Sequence, residues 1–109
     1  ILLLYRSDES HWEVPGGKVE EDESPTEAAV RETSEEIGVE AELEKPFFSG
    51  EFEHSGEIYL WHGYIAGISG EPEPMEEKFE KMERIDPSDL DDMDLAPNLV
   101  QILPALRRI

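Results

Sequence analysis

The sequence predicts an α/β domain, a mixed sheet with helices packed on it. Three observations carry that prediction. A helix is bracketed by strong start and stop signals at Ser24 and Gly38. Apolar runs of strand length lie on both sides of it. The chain closes on apolar residues at helical spacing. At 109 residues the chain makes one domain, with a thin core.

Residues 1–6 read as a buried strand, because four apolar residues run together before a charged stop. Residues 7–10 are polar and form a turn, and 12–14 a short extended piece ending at Pro15. Gly16-Gly17 permits unusual backbone angles and close approach by a ligand. Residues 18–23 are a charged loop. Ser24 then caps a helix, with Pro25 at its first position and Glu27 completing a capping box. Gly38 stops it, so the helix spans 25–37.

Residues 39–44, 47–53 and 57–68 read as strands, the last two joined as a hairpin around Ser55-Gly56. Residues 70–74 are rich in breakers and form a loop. A short strand is predicted at 81–85, and Asp86-Pro87-Ser88-Asp89 starts a short helix. Residues 95–109 carry Leu99, Ile102, Leu103 and Leu106 at helical spacing, with Pro104 set to kink or shorten the helix.

Composition narrows the function. The chain has 28 Asp plus Glu against nine Lys plus Arg, a net charge of −19. Such a surface repels nucleic acid and anionic membranes. Because the acids are spread along the whole chain, the bulk of them read as a halophilic, salt-adapted surface. No run approaches the ~20 apolar residues that span a bilayer. No signal peptide is visible, and the lack of cysteine fits a reducing cytoplasm.

The candidate chemistry lies on the central helix. Glu32, Glu35 and Glu36 fall within an arc of about 100° when the helix is drawn at 100° per residue. Thr26, Ala29, Val30, Thr33 and Ile37 fall on another face, available to the sheet. Glu27, Arg31 and Glu35 stand at i, i+4 spacing and can hold Arg31 in place. In a chain this acidic, three glutamates on one face are by themselves only solvated surface. Their like charges repel, and a hard divalent cation reverses that cost, Mg²⁺ being the one that also bridges to phosphates.

The wider spacing separates the two readings. From Gly17 the sequence runs through five residues to Glu23, then seven to Arg31-Glu32, two to Glu35-Glu36, and one to Gly38-Val39. This resembles the Nudix box, G-x5-E-x7-R-E-U-x-E-E-x-G-U, where U is a bulky aliphatic residue. Every fixed position is matched, and Thr33 stands where an aliphatic residue is usual. Upstream, Trp12-Glu13-Val14-Pro15-Gly16-Gly17-Lys18-Val19-Glu20 resembles the W-x-x-P-G-G-x-x-E lead-in of MutT-like members.

The resemblance covers 1–109 as a single domain, with the family's usual first strand expected to be lacking before Ile1. It implies the Nudix fold, an α/β/α sandwich around a mixed central sheet. It implies a Mg²⁺-dependent hydrolase, with Mn²⁺ as the substitute ion, acting on a nucleoside diphosphate linked to a further group. A MutT-like nucleoside triphosphate pyrophosphatase, releasing a nucleoside monophosphate and pyrophosphate, is the member expected. The alternatives are hydrolysis of ADP-ribose or a dinucleoside polyphosphate, or a non-catalytic nucleotide-binding module.

By position, the resemblance implies Glu32, Glu35 and Glu36 as metal ligands, with the Gly16 carbonyl as a further donor. Arg31 acts with Glu32 and Glu35 in catalysis by bridging carboxylates, and Gly17, Glu23 and Gly38 shape the site. A later glutamate serves as general base or additional ligand, and Glu77 is favoured over Glu80. Lys18 and Arg6 are the expected phosphate contacts, cations being scarce. Trp12, Phe47, Phe48, Tyr59, Trp61 and Tyr64 are the pool for a base-stacking residue, most of them core. His11, His54 and His62 are isolated and read as structural. The partner expected is a small nucleotide, bound by a monomer or homodimer.

Overall fold

The computed structural model describes residues 1–108. Its elements are β1 (Leu2–Arg6), β2 (His11–Glu13), α1 (Pro25–Ile37), β3 (Glu40–His54), β4 (Glu57–Ser69), β5 (Phe79–Arg84), a 3-10 turn (Pro87–Asp92), α2 (Pro97–Gln101) and α3 (Leu103–Leu106).

The helix α1 has the bounds its sequence signals predict, because those signals are local. Ser24 Oγ accepts the Glu27 N–H, and the Glu27 carboxylate accepts the Ser24 N–H. Gly38 ends the helix at φ 70, a conformation that an L side chain rarely adopts.

β1 is central to a three-stranded sheet ordered β2-β1-β5, antiparallel throughout. A parallel bridge between Trp12 and Leu95 adds the mixed character, through Trp12 N–H to Asp94 O and Ala96 N–H to Trp12 O. Alternation along β1 makes the sandwich. Leu3 packs with Leu90, Leu99, Ile102 and Leu106 on the C-terminal helical side. Leu4 packs with Ile37, Val39 and Phe79 on the α1 side.

β3 and β4 form a separate antiparallel hairpin. Its turn at Ser55 (φ 53) and Gly56 (φ 80) has the left-handed pair that matches strand twist. The two strands expected at 39–44 and 47–53 are one. Pro46 has no N–H for the ladder, and the chain absorbs this as register irregularities at Leu43/Lys45 and Pro46/Phe48 rather than as a break. The last helix does break, at Ile102, with Pro104 early in α3. The final residue of its predicted span, Ile109, lies outside the described residues. No described helix is long and apolar enough to cross a membrane.

Candidate active site

The site forms where the 14–23 loop crosses α1. The buried stripe of the helix is shifted from the face its periodicity suggests: Ile37 is buried as expected, but Ala29, Val30 and Thr33 are only half-buried. Ala28, Glu36 and Ile37 are its buried residues, while Thr26 is exposed. The row Ala28, Glu32 and Glu36 therefore turns inward, toward Gly16 and Gly17. Val30 is left lining an open groove with Thr26 and Leu43.

Arg31 organises the acids. Its Nε and Nη2 donate to the two oxygens of Glu23 at 2.7 and 2.8 Å. Its Nη1 donates to Glu32 at 2.8 Å and reaches Glu35 at 3.3 Å. Nη2 also donates to the Lys18 carbonyl at 3.0 Å, which ties the loop to the helix. Charge-assisted bonds in this forked arrangement are strong and directional. They hold the Glu23 carboxyl down to about 2, the bond from Arg31 being the main cause, and raise the Arg31 guanidinium. Glu27 is not part of this network, since its carboxylate serves the Ser24 cap.

Gly17 is needed for closeness. A β-carbon there would lie 2.6 and 2.7 Å from the Glu32 carboxylate oxygens. A β-carbon on Gly16 would meet nothing within 4 Å. Neither glycine has a positive φ, so the unusual backbone angles anticipated for this pair do not occur.

Glu36 is 1% exposed. Its Oε1 accepts the Gly16 N–H at 2.7 Å, and Lys78 Nζ stands 3.7 Å from its Oε2. Burial pushes its carboxyl up to about 7, against the lowering effects of the Gly16 N–H and Lys78.

The side chains that face Glu36 from the later loop are Glu76 and Lys78. Glu77, singled out from the sequence, is exposed on the turn between them, and Glu80 is exposed on β5. Glu76 and Lys78 were hidden in a charged run, and only chain docking distinguishes them. Glu73 N–H and Met75 N–H bond to the Ile37 and Glu36 carbonyls, which seats the loop on the end of α1. Met75 also lies against Gly38.

Of the expected phosphate contacts, Arg6 is held by Asp8 through two hydrogen bonds. Lys18 extends over the Tyr59 ring at 5.7 Å. Tyr59 stacks on Phe52, and Phe48 and Trp61 continue that face of the hairpin. Trp12, Phe47, Phe48 and Trp61 pack on the core. His11 pairs with Glu13 at 3.0 Å and His62 with Ser49.

A hard divalent cation suits the donor set, which is made of carboxylate and backbone oxygens. Among the described residues, no three Asp, Glu or His side chains are gathered closely enough to hold an ion as they stand. Arg31 draws Glu32 and Glu35 to itself, while Glu36 turns to Gly16. Glu35 is 53% exposed, so its reorientation is cheap.

A model of the NUDIX domain matches residues 1–106. The CTP pyrophosphohydrolase of Escherichia coli is 45% identical over 69 residues, 57% of this chain and 51% of its own length. A putative 8-oxo-dGTP diphosphatase of Bacillus subtilis is 41% identical over 74 residues, 62% of this chain and 46% of its own length. The matched stretch thus spans about half the length of these two relatives. Among solved structures, the E. coli ORF135 protein has a TM-score of 0.86 and 34% identity, covering 99% of this chain and 79% of that one. A MutT Nudix hydrolase from Burkholderia pseudomallei has a TM-score of 0.85 and 28% identity, covering 100% and 87%.

Proposed function

Since this chain belongs to the Nudix family, we propose that it is a divalent-metal-dependent hydrolase that cuts a phosphoanhydride bond in a nucleoside diphosphate derivative. The finer reading is a MutT-like nucleoside triphosphate pyrophosphatase that uses Mg²⁺ and releases a nucleoside monophosphate and pyrophosphate. What carries it is the Arg31 network, which fixes Glu23, Glu32 and Glu35 at the Gly17 turn beside the buried Glu36. The relatives named for CTP and 8-oxo-dGTP support a triphosphate substrate.

In this reading Glu32, Glu35 and Glu36 hold the ion, with the Gly16 carbonyl as a further donor. The ion supplies neutralisation of phosphate charge and a more acidic water when bound. The chain's own residues do the rest. Arg31 sets the spacing of the carboxylates and fastens them to the 14–23 loop. Gly17 lets that loop lie against Glu32. Glu76, next to the residue first singled out, is the later glutamate that faces Glu36 and fits the role of base. Lys18 stands between the site loop and the aromatic face of the hairpin, where it can meet a phosphate.

We place the protein in a salt-rich cytoplasm, as a monomer or homodimer acting on free nucleotides. The net charge of −19 supports that choice over nucleic acid.

The test is a panel of triphosphates, including CTP and 8-oxo-dGTP, with ADP-ribose and a dinucleoside polyphosphate, assayed with Mg²⁺ at high salt. Monophosphate and pyrophosphate are the expected products, and Glu36→Gln abolishes their formation while the fold is kept. Nucleotide binding without turnover across the panel would reassign the chain as a sensor.

A further inference from the structure

Lys78 has no part in the reading above, yet it stands where a cation is most needed. Among the described residues, Glu36 is the one fully buried charged side chain. An ionised carboxylate in such a place requires a partner. One oxygen takes the Gly16 N–H, and the other has the Lys78 ammonium at 3.7 Å. The same ammonium is 3.9 Å from Glu76 and 5.0 Å from the centre of the Phe79 ring.

The two partners differ in freedom. Glu36 is 1% exposed and fixed by the helix, whereas the Lys78 side chain is 38% exposed. The turn that carries Lys78 is itself anchored, through Glu73 and Met75, to the last carbonyls of α1. The backbone therefore delivers this lysine to Glu36, and only its flexible stem needs to move for the ammonium to leave. Elsewhere Arg6 is held by Asp8, Arg31 by Glu23 and Arg107 by Asp91.

We propose that Lys78 is the resident counter-charge of the metal site, neutralising Glu36 while no divalent ion is bound and swinging outward when one loads. It thereby sets the ion concentration at which the site fills. The inference rests on the reading of Glu36 as a metal ligand. A divalent ion at Glu36 and an ammonium beside it repel, so the two compete for one carboxylate.

Titrating the metal-free protein with Mn²⁺, and counting free ion by its paramagnetic resonance signal, tests this without turnover. Lys78→Gln should bind Mn²⁺ roughly 3- to 10-fold more tightly than the wild type, since the competing charge is gone. Lys78→Arg keeps the charge and should bind like the wild type. The metal-free Lys78→Gln protein should melt below the wild type, and saturating Mn²⁺ should close that gap. Unchanged or weaker binding in Lys78→Gln, or an arginine variant that behaves like it, overturns the role of Lys78 and leaves the metal site standing. A wild-type protein that binds no Mn²⁺ overturns the metal site and the counter-charge together.

Discussion

The Glu32 carboxylate occupies space that a β-carbon on Gly17 would need, with oxygens 2.6 and 2.7 Å from that point. Yielding would draw Glu32 away from the Arg31 guanidinium, which holds it at 2.8 Å. Gly17→Ala should therefore displace Glu32 or the loop, with a loss in kcat/KM on the order of 100-fold. Its thermal stability should fall by less than ~1 kcal/mol, since the clash is with the end of a side chain. Gly16→Ala meets nothing and should unfold like the wild type. Equal activity in Gly17→Ala and the wild type would show that the closeness has no catalytic use.

Arg31 makes a fork that lysine cannot reproduce. Arg31→Lys should lower kcat/KM by roughly 10- to 100-fold, by releasing Glu32 and Glu35. It should also change the acid limb of stability. Glu23 is held down to about 2 from 4.5, so its contribution is complete above 4.5 and is lost as pH falls toward 2. Melting curves between those values should drop in the wild type and flatten in Arg31→Lys. A drop of the same size in both would remove Arg31 as its cause.

Glu36 has the opposite sign. Its carboxyl is raised from 4.5 to about 7, so the folded metal-free protein binds more protons than the unfolded one across that interval. Stability therefore falls as pH rises from 4.5 to 7, by up to about 3 kcal/mol. Glu36→Gln should lack that fall and be the more stable protein at pH 8, while losing turnover. Parallel stability curves for the two proteins would contradict the burial cost.

Gln101 joins α2 to the hairpin. Its Oε1 accepts the Trp61 Nε1–H at 3.0 Å, and its Nε2 donates to the Glu51 carbonyl at 3.0 Å. Gln101→Ala should cost about 1–2 kcal/mol and raise amide exchange across β3 and β4 before other elements. Uniform exchange changes throughout the molecule would speak against a local tie.

With a net charge of −19, the fold repels itself, and salt weakens that repulsion. Raising NaCl from about 0.1 to 2 M should lift Tm by roughly 5–10 °C, as screening weakens the repulsion among the acids. A Tm indifferent to salt would argue against the salt-adapted surface.

The parts that were legible in the sequence are those specified locally. Ser24, Pro25, Glu27 and Gly38 fix both ends of α1 within one turn of chain. The Ser55-Gly56 turn and the apolar run of β1 are equally local. The parts that were not legible depend on distant docking. The inward rotation of Glu36 follows from Gly16, 20 residues away. The positions of Glu76 and Lys78 follow from residues 73–75 joining the end of α1. Glu27 was equally well spaced for Arg31 and for the cap, and the cap prevailed because it satisfies a backbone donor that α1 leaves without a partner.

The two backbone bonds from residues 73 and 75 to α1 have a consequence for divergence. The position of Glu76 and Lys78 is registered by the helix and not by the connection that leads to them. Residues 70–72 can lengthen or change without moving either side chain. The connection ahead of them is thus free to vary in length while the residues that face Glu36 stay in place.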